Sequence, residues 1–395
     1  MPNLSVDRLA LEGKRVFLRA DLNVPLAAGQ VSDDTRLHSV LPTVRHCLQA
    51  GAAVVLASHL GRPKGKPDPA YSLAPVAARL EKLLGQAVPL APDCVGESVE
   101  AMARGLRPGE VLLLENLRFH PQEEKNDPSF AQALASLGDC YVNDAFAASH
   151  RAHASIEAIT RFLQPAAAGF LMRRELEALG RILEHPERPL VAILGGAKVA
   201  DKIALVGRLL TKVDALLIGG GMAFTFLSAF GHDTGRSLLD PERVGTAREV
   251  LSEARSRGVT VGLPVDVVVG KGPGSPEEIQ TVSVRQIPPT LMGLDIGPAT
   301  LSRFREALAP ARTVVWNGPM GVFEAPAFAR GTLELARAVV ASSAFTVVGG
   351  GDTVAGVHQA GVTEKIGYIS TAGGAFLEFL EGRELPGVVV LSKAG

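Results

Sequence analysis

Short apolar runs rich in Val, Ile and Leu alternate along the chain with longer stretches whose apolar positions recur at helical spacing. In the first half the runs predict strands at Arg15–Arg19, Ala53–Ser58, Val111–Glu115 and Cys140–Asn143. Helices are predicted between them at Thr35–Gln49, Ala74–Leu84 and Ser129–Leu137. In the second half strands are predicted at Leu190–Leu194, Ala215–Ile218, Val265–Val269, Thr313–Trp316 and Thr346–Val348. Uniformly apolar strands that alternate with helices argue for parallel sheets covered on both faces. The expected fold class is therefore α/β, with two doubly wound parallel-sheet (Rossmann-like) lobes joined by a helical hinge.

The pattern breaks at Gln164-Pro165-Ala166-Ala167-Ala168-Gly169. A helical stretch follows at about 170-183, with Leu171, Leu176, Leu179 and Leu183 near one face, and His185-Pro186-Glu187-Arg188-Pro189 ends it. The expected division is a first lobe at 1-168 and a second at 169-380 that begins with this connector helix. A chain of 395 residues suits two domains of ordinary size.

Composition narrows the class. Apolar residues make up 47% and charged residues 21%, a globular balance. Forty basic and 41 acidic side chains leave a formal net charge of −1, which argues against a nucleic-acid binder. An anion site must then come from local clustering. Three cysteines, Cys47, Cys94 and Cys140, match no metal-ligand spacing, and their odd, low count fits a reducing compartment. No apolar signal core opens the chain and no stretch suits a bilayer span, so a cytoplasmic protein without membrane contact is expected.

In open parallel sheets ligands bind where the strands' carboxyl ends release their loops. In the first half each such loop carries polar or basic groups: Arg19-Ala20-Asp21-Leu22-Asn23-Val24-Pro25, Ser58-His59-Leu60-Gly61-Arg62-Pro63, Glu115-Asn116-Leu117-Arg118-Phe119-His120, and Asn143-Asp144-Ala145 running on to His150-Arg151-Ala152-His153. Arg36 opens the helix after the first loop. Arg36, His59, Arg62, Arg118 and Arg151 could thus converge at one sheet edge. A single arginine would be an ordinary solvated side chain, but one in nearly every loop on one edge points to a multiply anionic small molecule. The planar guanidinium pairs bidentately with phosphate or carboxylate and stays charged.

The loops of the second half are glycine-rich instead: Gly195-Gly196-Ala197-Lys198, Gly219-Gly220-Gly221, Asn317-Gly318-Pro319, Gly349-Gly350-Gly351-Asp352-Thr353 and Ala372-Gly373-Gly374. Glycine lets a ligand approach the backbone and leaves helix N-terminal amides free for phosphate. Lys198 and Lys202 could neutralise transferring phosphoryl oxygens, Asp352 could hold Mg²⁺, and Glu324 could take ribose hydroxyls. No P-loop motif is present, and no strand-linked G-x-G-x-x-G opens the first half. On these residues alone, another nucleotide- or phosphosugar-binding enzyme such as a dehydrogenase, and a non-catalytic two-lobed anion binder, remain rival readings. Lys202 with Asp352 weighs against the second.

The same motifs, with Asp33-Asp34-Thr35-Arg36, Gly195 through Lys202, Trp316-Asn317-Gly318-Pro319 and Gly350-Gly351-Asp352-Thr353, resemble the phosphoglycerate kinase family along essentially the whole chain. The resemblance implies phosphoryl transfer between 1,3-bisphosphoglycerate and ADP, giving 3-phosphoglycerate and ATP. It implies that Asp21, Leu22, Asn23, Arg36, His59, Leu60, Gly61, Arg62, Arg118 and Arg151 meet the phosphoglycerate. It implies that Lys198, Lys202, Gly293, Asn317, Glu324 and Gly350, Gly351, Asp352, Thr353 meet the nucleotide, with Gly220 and Gly221 flanking adenine and Asp352 on Mg²⁺. In the ATP-consuming direction the nucleophile would be the phosphoglycerate carboxylate, already ionised near neutral pH, so no general base is needed. Stabilisation of the moving phosphoryl group falls to Arg36, Lys202, Mg²⁺ and the amides of Thr371, Ala372, Gly373 and Gly374. The family further implies a monomer, hinge closure about the connector, and a tail at about 381-395 that packs on the first lobe. One departure stands out. Ala372 replaces a glycine usual in the last loop, and is tolerable only if its φ is negative.

Overall fold

The computed structural model describes residues 4–197, 199–200, 202–275 and 277–393. The chain divides into two compact units, Met1–Glu177 with Glu384–Gly395, and Ala178–Arg383. The division falls inside the helix Phe170–Leu183, nine residues after the break that the Pro-Ala-Ala-Ala-Gly run suggested.

The first unit is built on a five-stranded sheet in the order Val111–Leu113, Ala53–Ala57, Arg15–Ala20, Cys140–Asp144, Ala166–Ala168, with every neighbouring pair parallel. Ala166–Ala168 lies within the segment expected to be a boundary loop. Three alanines carry no strand signal of their own, and pairing with the buried Cys140–Asp144 strand recruits them. Along the central strand, Val16, Leu18 and Ala20 enter one buried cluster while Phe17 and Arg19 alternate to the other face. Phe17 stacks there on Tyr141, and Arg19 is buried beside it.

The second unit holds a six-stranded sheet in the order Thr260–Gly262, Ala215–Ile218, Leu190–Leu194, Thr313–Asn317, Phe345–Gly349, Tyr368–Ser370, again parallel throughout. The run expected as Val265–Val269 does not join it. Asp266–Gly270 is instead the middle strand of a separate antiparallel sheet, between Gln280–Ser283 and Met292–Ile296. Beyond the connector, helix Pro386–Lys393 closes on the first unit, where Gly387 N–H donates to Ser149 O at 3.0 Å. Among the described residues no helix is long and apolar enough to cross a membrane.

Candidate functional site

Two constellations form, one in each unit, both at strand carboxyl ends. In the first, the loop after Arg15–Ala20 is held by side chains of its neighbours. Leu22 N–H donates to Ser58 Oγ at 2.9 Å, and Asn23 Oδ1 accepts from Gly61 N–H at 2.9 Å. Leu60 O accepts from Asn116 Nδ2 at 2.7 Å. Gly61 has φ +59°, and a Cβ there would lie 2.4 Å from the Tyr71 ring, so only glycine fits. These contacts fix the loop so that Asp21 Oδ2 reaches Arg36 Nη1 at 2.7 Å. Arg118 Nη1 donates to Gly61 O at 2.9 Å, and its Nε lies 3.3 Å from Glu124. Arg62 and Arg151 are exposed.

The electrostatics place these groups in one field. Burial depresses the Arg118 pKa, and Arg19 and Arg62 push it the same way while Glu124 opposes them. His59 is buried, and desolvation together with Arg19, Arg118 and Arg36 keeps it well below the ordinary imidazole value. His153 falls to about 3 by burial and by Arg19, Arg118, His150 and Arg151. The expected arginines and His59 are therefore brought together.

Reading the sequence missed the layer beneath them. Arg19 Nη2 lies 3.2 Å from His59 Nδ1. A guanidinium nitrogen can only donate, so Nδ1 accepts and the His59 proton sits on Nε2. Arg19 Nε donates to Ser155 Oγ at 2.8 Å, and Ser155 Oγ donates in turn to Glu123 Oε1 at 2.6 Å. Ser155 N–H meets Glu123 Oε2 at 2.9 Å. Glu123 is fully buried, and burial raises its pKa against the opposing pull of Arg19. The signal available in the sequence was an arginine inside an apolar strand, a position where a charge requires a partner.

In the second unit the glycine loops interlock. Gly195 N–H donates to Asn317 O at 2.9 Å, Gly196 N–H to Pro319 O at 2.8 Å, and Gly220 N–H to Met320 O at 3.1 Å. Gly318 has φ +100°, and a Cβ on it would come within 2.2 Å of Gly195 O, so two loops touch backbone to backbone. Lys202 Nζ spans them, donating to Gly195 O at 2.6 Å and to Asn317 O at 3.2 Å. Asn317 Nδ2 donates to Gly349 O at 2.8 Å, and Thr353 Oγ1 accepts from Gly318 N–H at 2.6 Å.

Beside this lattice lies a cavity of about 320 Å³ whose wall includes Gly220, Gly221, Gly293, Glu324 and Asp352. The sequence did not single out its apolar lining, Phe224, Leu238, Pro264 and Met292. Gly293 is packed so closely on Phe224 that a Cβ would lie 2.1 Å from the ring. Lys202, Asn317, Gly350, Gly351 and Thr353 are not among the residues that line it, and Lys202, Asn317 and Thr353 tie together the loops beside it. Asp295, also in the wall, is raised to about 7 by burial, against two backbone N–H donors, Gly331 and Ile296. Asp352 is exposed in the first turn of Gly351–Gln359. Thr371 to Gly374 link the strand Tyr368–Ser370 to the helix Gly374–Leu380. The left-handed residue of that loop is Gly373, φ +54°, while Ala372 has no positive φ and buries its methyl group. The alanine is therefore unstrained. Lys198 lies outside the described residues.

One unit thus carries a cationic cluster and the other a glycine-walled cavity. The family described as phosphoglycerate kinase matches residues 6–383. The chain belongs to the phosphoglycerate kinase family. The phosphoglycerate kinase of Moorella thermoacetica is 57% identical over 393 residues and covers 100% of both chains. That of Geobacter metallireducens is 54% identical over 387 residues, 98% of this chain and 97% of its own. Among solved structures, the phosphoglycerate kinase of Coxiella burnetii superposes with a TM-score of 0.92 at 42% identity, covering 99% of each chain. The Pyrococcus horikoshii phosphoglycerate kinase gives 0.86 at 35% identity, covering 99% of this chain and 100% of its own. Membership of this family makes the chain a phosphotransferase of glycolysis, and the α/β fold of two parallel-sheet lobes is the family's own.

Proposed function

We propose that the first unit's cationic cluster holds 3-phosphoglycerate or its acyl phosphate, that the second unit's cavity holds ADP or ATP, and that a phosphoryl group passes directly between them. The observation that carries this reading is the convergence of Arg36, His59, Arg62, Arg118 and Arg151 around a buried Arg19, with a neutral His59 offering Nε2–H. Such an array suits a ligand with both a phosphate and a carboxylate, and the proposed chemistry assigns it no general base. None is required, since the attacking carboxylate is ionised at neutral pH.

The chemistry then reduces to alignment and charge. Arg62, Arg118 and Arg151 anchor the substrate with Asp21, Leu22, Asn23, Leu60 and Gly61. Arg36, released from Asp21 by a stronger anion, turns to the moving phosphoryl group. Lys202 exchanges its two carbonyl partners for phosphate oxygens. Amides of Thr371, Ala372, Gly373 and Gly374 supply further donors. The apolar wall of the cavity suits a base between Gly220, Gly221 and Gly293, with Glu324 toward the ribose. Asp352, an exposed oxygen donor on the cavity wall, fits Mg²⁺ carried in with the nucleotide. When bound, that ion would neutralise charge on the phosphate chain. The two ligands must meet for direct transfer, so we further infer closure about the connector Phe170–Leu183, which also excludes water. A cytoplasmic monomer is proposed on the family resemblance alone.

The test is 3-phosphoglycerate-dependent formation of ADP from MgATP. Wild type turns over, and Arg36→Ala loses more than about tenfold in kcat, or about 1.4 kcal/mol. A folded wild type without this activity overturns the reading. A smaller loss in Arg36→Ala removes Arg36 from the transition state.

A further inference from the structure

The turn that carries Glu123 and Glu124 starts from a second cluster of ligating side chains, which the phosphoryl-transfer chemistry does not use. His120 Nε2 lies 2.7 Å from Asp93 Oδ1, and Cys94 follows Asp93 directly. One ligand atom from each of the three lies within 4.8 Å of the others. Linear spacing hides the group, because His120 is far along the chain from the Asp-Cys pair.

Each ligand is held in place. Cys94 N–H donates to Asp93 Oδ1 at 2.6 Å, and Ala91 N–H ties the segment to Leu113 O at 2.8 Å. The His120 ring stacks on Phe130, with centroids 5.2 Å apart. Cys94 is buried, while the side chains of His120 and Asp93 are 25% and 44% exposed, so the group has a floor and a mouth. A nitrogen, an oxygen and a sulfur donor within 4.8 Å of one another suit a borderline-soft cation. They do not suit Mg²⁺ or Ca²⁺, which take oxygen ligands.

We propose that Asp93, Cys94 and His120 bind one zinc-class divalent cation, and that its binding acts on the arginine cluster through residues 120–124. The ion replaces the hydrogen bond between Asp93 and His120: Asp93 binds as the carboxylate, and His120 binds through Nε2 with its ring proton on Nδ1. The Cys94 thiol proton leaves to solvent as the sulfur–metal bond forms, and water fills the fourth position at the open mouth. Ligand bonds of about 2.0–2.3 Å draw the three donors together and shift His120. That residue caps the turn: Glu123 N–H donates to His120 O at 3.1 Å. Glu124 pairs with Arg118, and Glu123 holds Ser155 and through it Arg19. The binding half stands on its own. The regulatory half rests on Arg118 and Arg19 serving the phosphoglycerate site, and predicts a raised KM for 3-phosphoglycerate with that for MgATP unchanged.

The experiment uses tag-free, chelator-treated full-length protein. Titration with Co²⁺ should give, at one equivalent, a thiolate-to-cobalt charge-transfer band with tetrahedral ligand-field absorption, and Zn²⁺ should displace it. Cys94→Ser should lose the band, and His120→Gln should weaken Zn²⁺ binding by about tenfold or more, measured against a fluorescent chelator. Both variants should keep wild-type circular dichroism and zinc-free activity. Absence of the band in wild type, or equal Zn²⁺ affinity in all three proteins, overturns the site. Zinc added under excess MgATP should raise the 3-phosphoglycerate KM of wild type and not of Cys94→Ser. An unchanged KM with the band present overturns the coupling alone. Absence of turnover without zinc would instead count against the functional reading, and the cobalt spectra would still decide the site.

Discussion

Buried histidines are the residues whose behaviour in solution follows most directly from the structure. An unfolded histidine titrates near pH 6.5. Folded His153 does so only near 3, because burial and Arg19, Arg118, His150 and Arg151 oppose its charge, and His59 is depressed by burial and by Arg19, Arg118 and Arg36. Below pH 6.5 the unfolded chain therefore binds protons that the folded chain refuses. Stability from these groups is present above about 6.5 and is lost as pH falls toward 3, with a limiting slope of about 1.4 kcal/mol per pH unit for each histidine. Denaturant unfolding at pH 7, 6.25 and 5.5 should show this decline, and His153→Gln should flatten it. An equal slope in the variant would mean that His153 is solvated in the folded state. The arginines above these histidines were legible in the sequence because loops after parallel strands share one edge. Arg19, Ser155 and Glu123 were not legible, since burial and partnership depend on which face of the sheet the later segment covers.

At the scale of elements, the short helix Pro121–Glu124 joins surface and interior: Glu124 faces Arg118 while Glu123 is sealed against Ser155. Glu123→Gln keeps the shape, removes the charge that balances Arg19, and sets an amide N–H against a Ser155 donor. A loss of about 3 kcal/mol in unfolding free energy is expected, with a raised 3-phosphoglycerate KM as His59 loses its fixed donor. Calorimetry and steady-state kinetics on one preparation check both, and unchanged stability would rule out the buried network. In the second unit, Gly293→Ala should disturb the cavity wall, since its new methyl meets the Phe224 ring. Overpacking of this kind predicts about tenfold weaker nucleotide binding by titration calorimetry and unchanged 3-phosphoglycerate affinity. The sheet that holds Gly293 shows where pattern reading stops. Asp266–Gly270 has the same valine-rich composition as the parallel strands, but its burial alternates, with Val267 and Val269 sealed and Asp266 and Val268 half-open. That alternation marks an antiparallel sheet with one wet face, and a five-residue run dense in valine conceals it. The other strands and helices assigned from the sequence match it to within two residues, since their apolar period leaves one solution.

For the whole molecule, the meaning of the division at Glu177 lies in how each half of the connector is fastened. Its start is tied to the first unit: Phe170 N–H donates to Thr43 Oγ1 at 3.0 Å, Met172 N–H to Asp144 Oδ1 at 3.0 Å, and Gly169 packs against that carboxylate with no room for a Cβ. Its end belongs to the second unit, where the Arg181 guanidinium lies 3.9 Å from the Phe345 ring centroid. Under the proposed direct transfer, a helix fastened at each end to a different unit is the element in which a joint response to both ligands should be read. If each ligand only fills its own site, hydrogen exchange should slow locally. 3-Phosphoglycerate alone should protect amides of residues 19–36, 58–63 and 115–124, and a non-hydrolysable magnesium nucleotide alone should protect residues 195–222 and 292–296. Closure adds a term that neither ligand supplies alone: with both bound, amides of Phe170–Leu183 should exchange more slowly than the product of the single-ligand effects. Mass-spectrometric exchange on wild type and on Arg36→Ala separates the possibilities. Multiplicative protection of the connector in wild type would mean that the two sites bind independently and that hinge closure is not how the ligands meet. Excess protection that survives in Arg36→Ala would show that substrate binding drives closure, and that Arg36 acts afterward on the moving phosphoryl group.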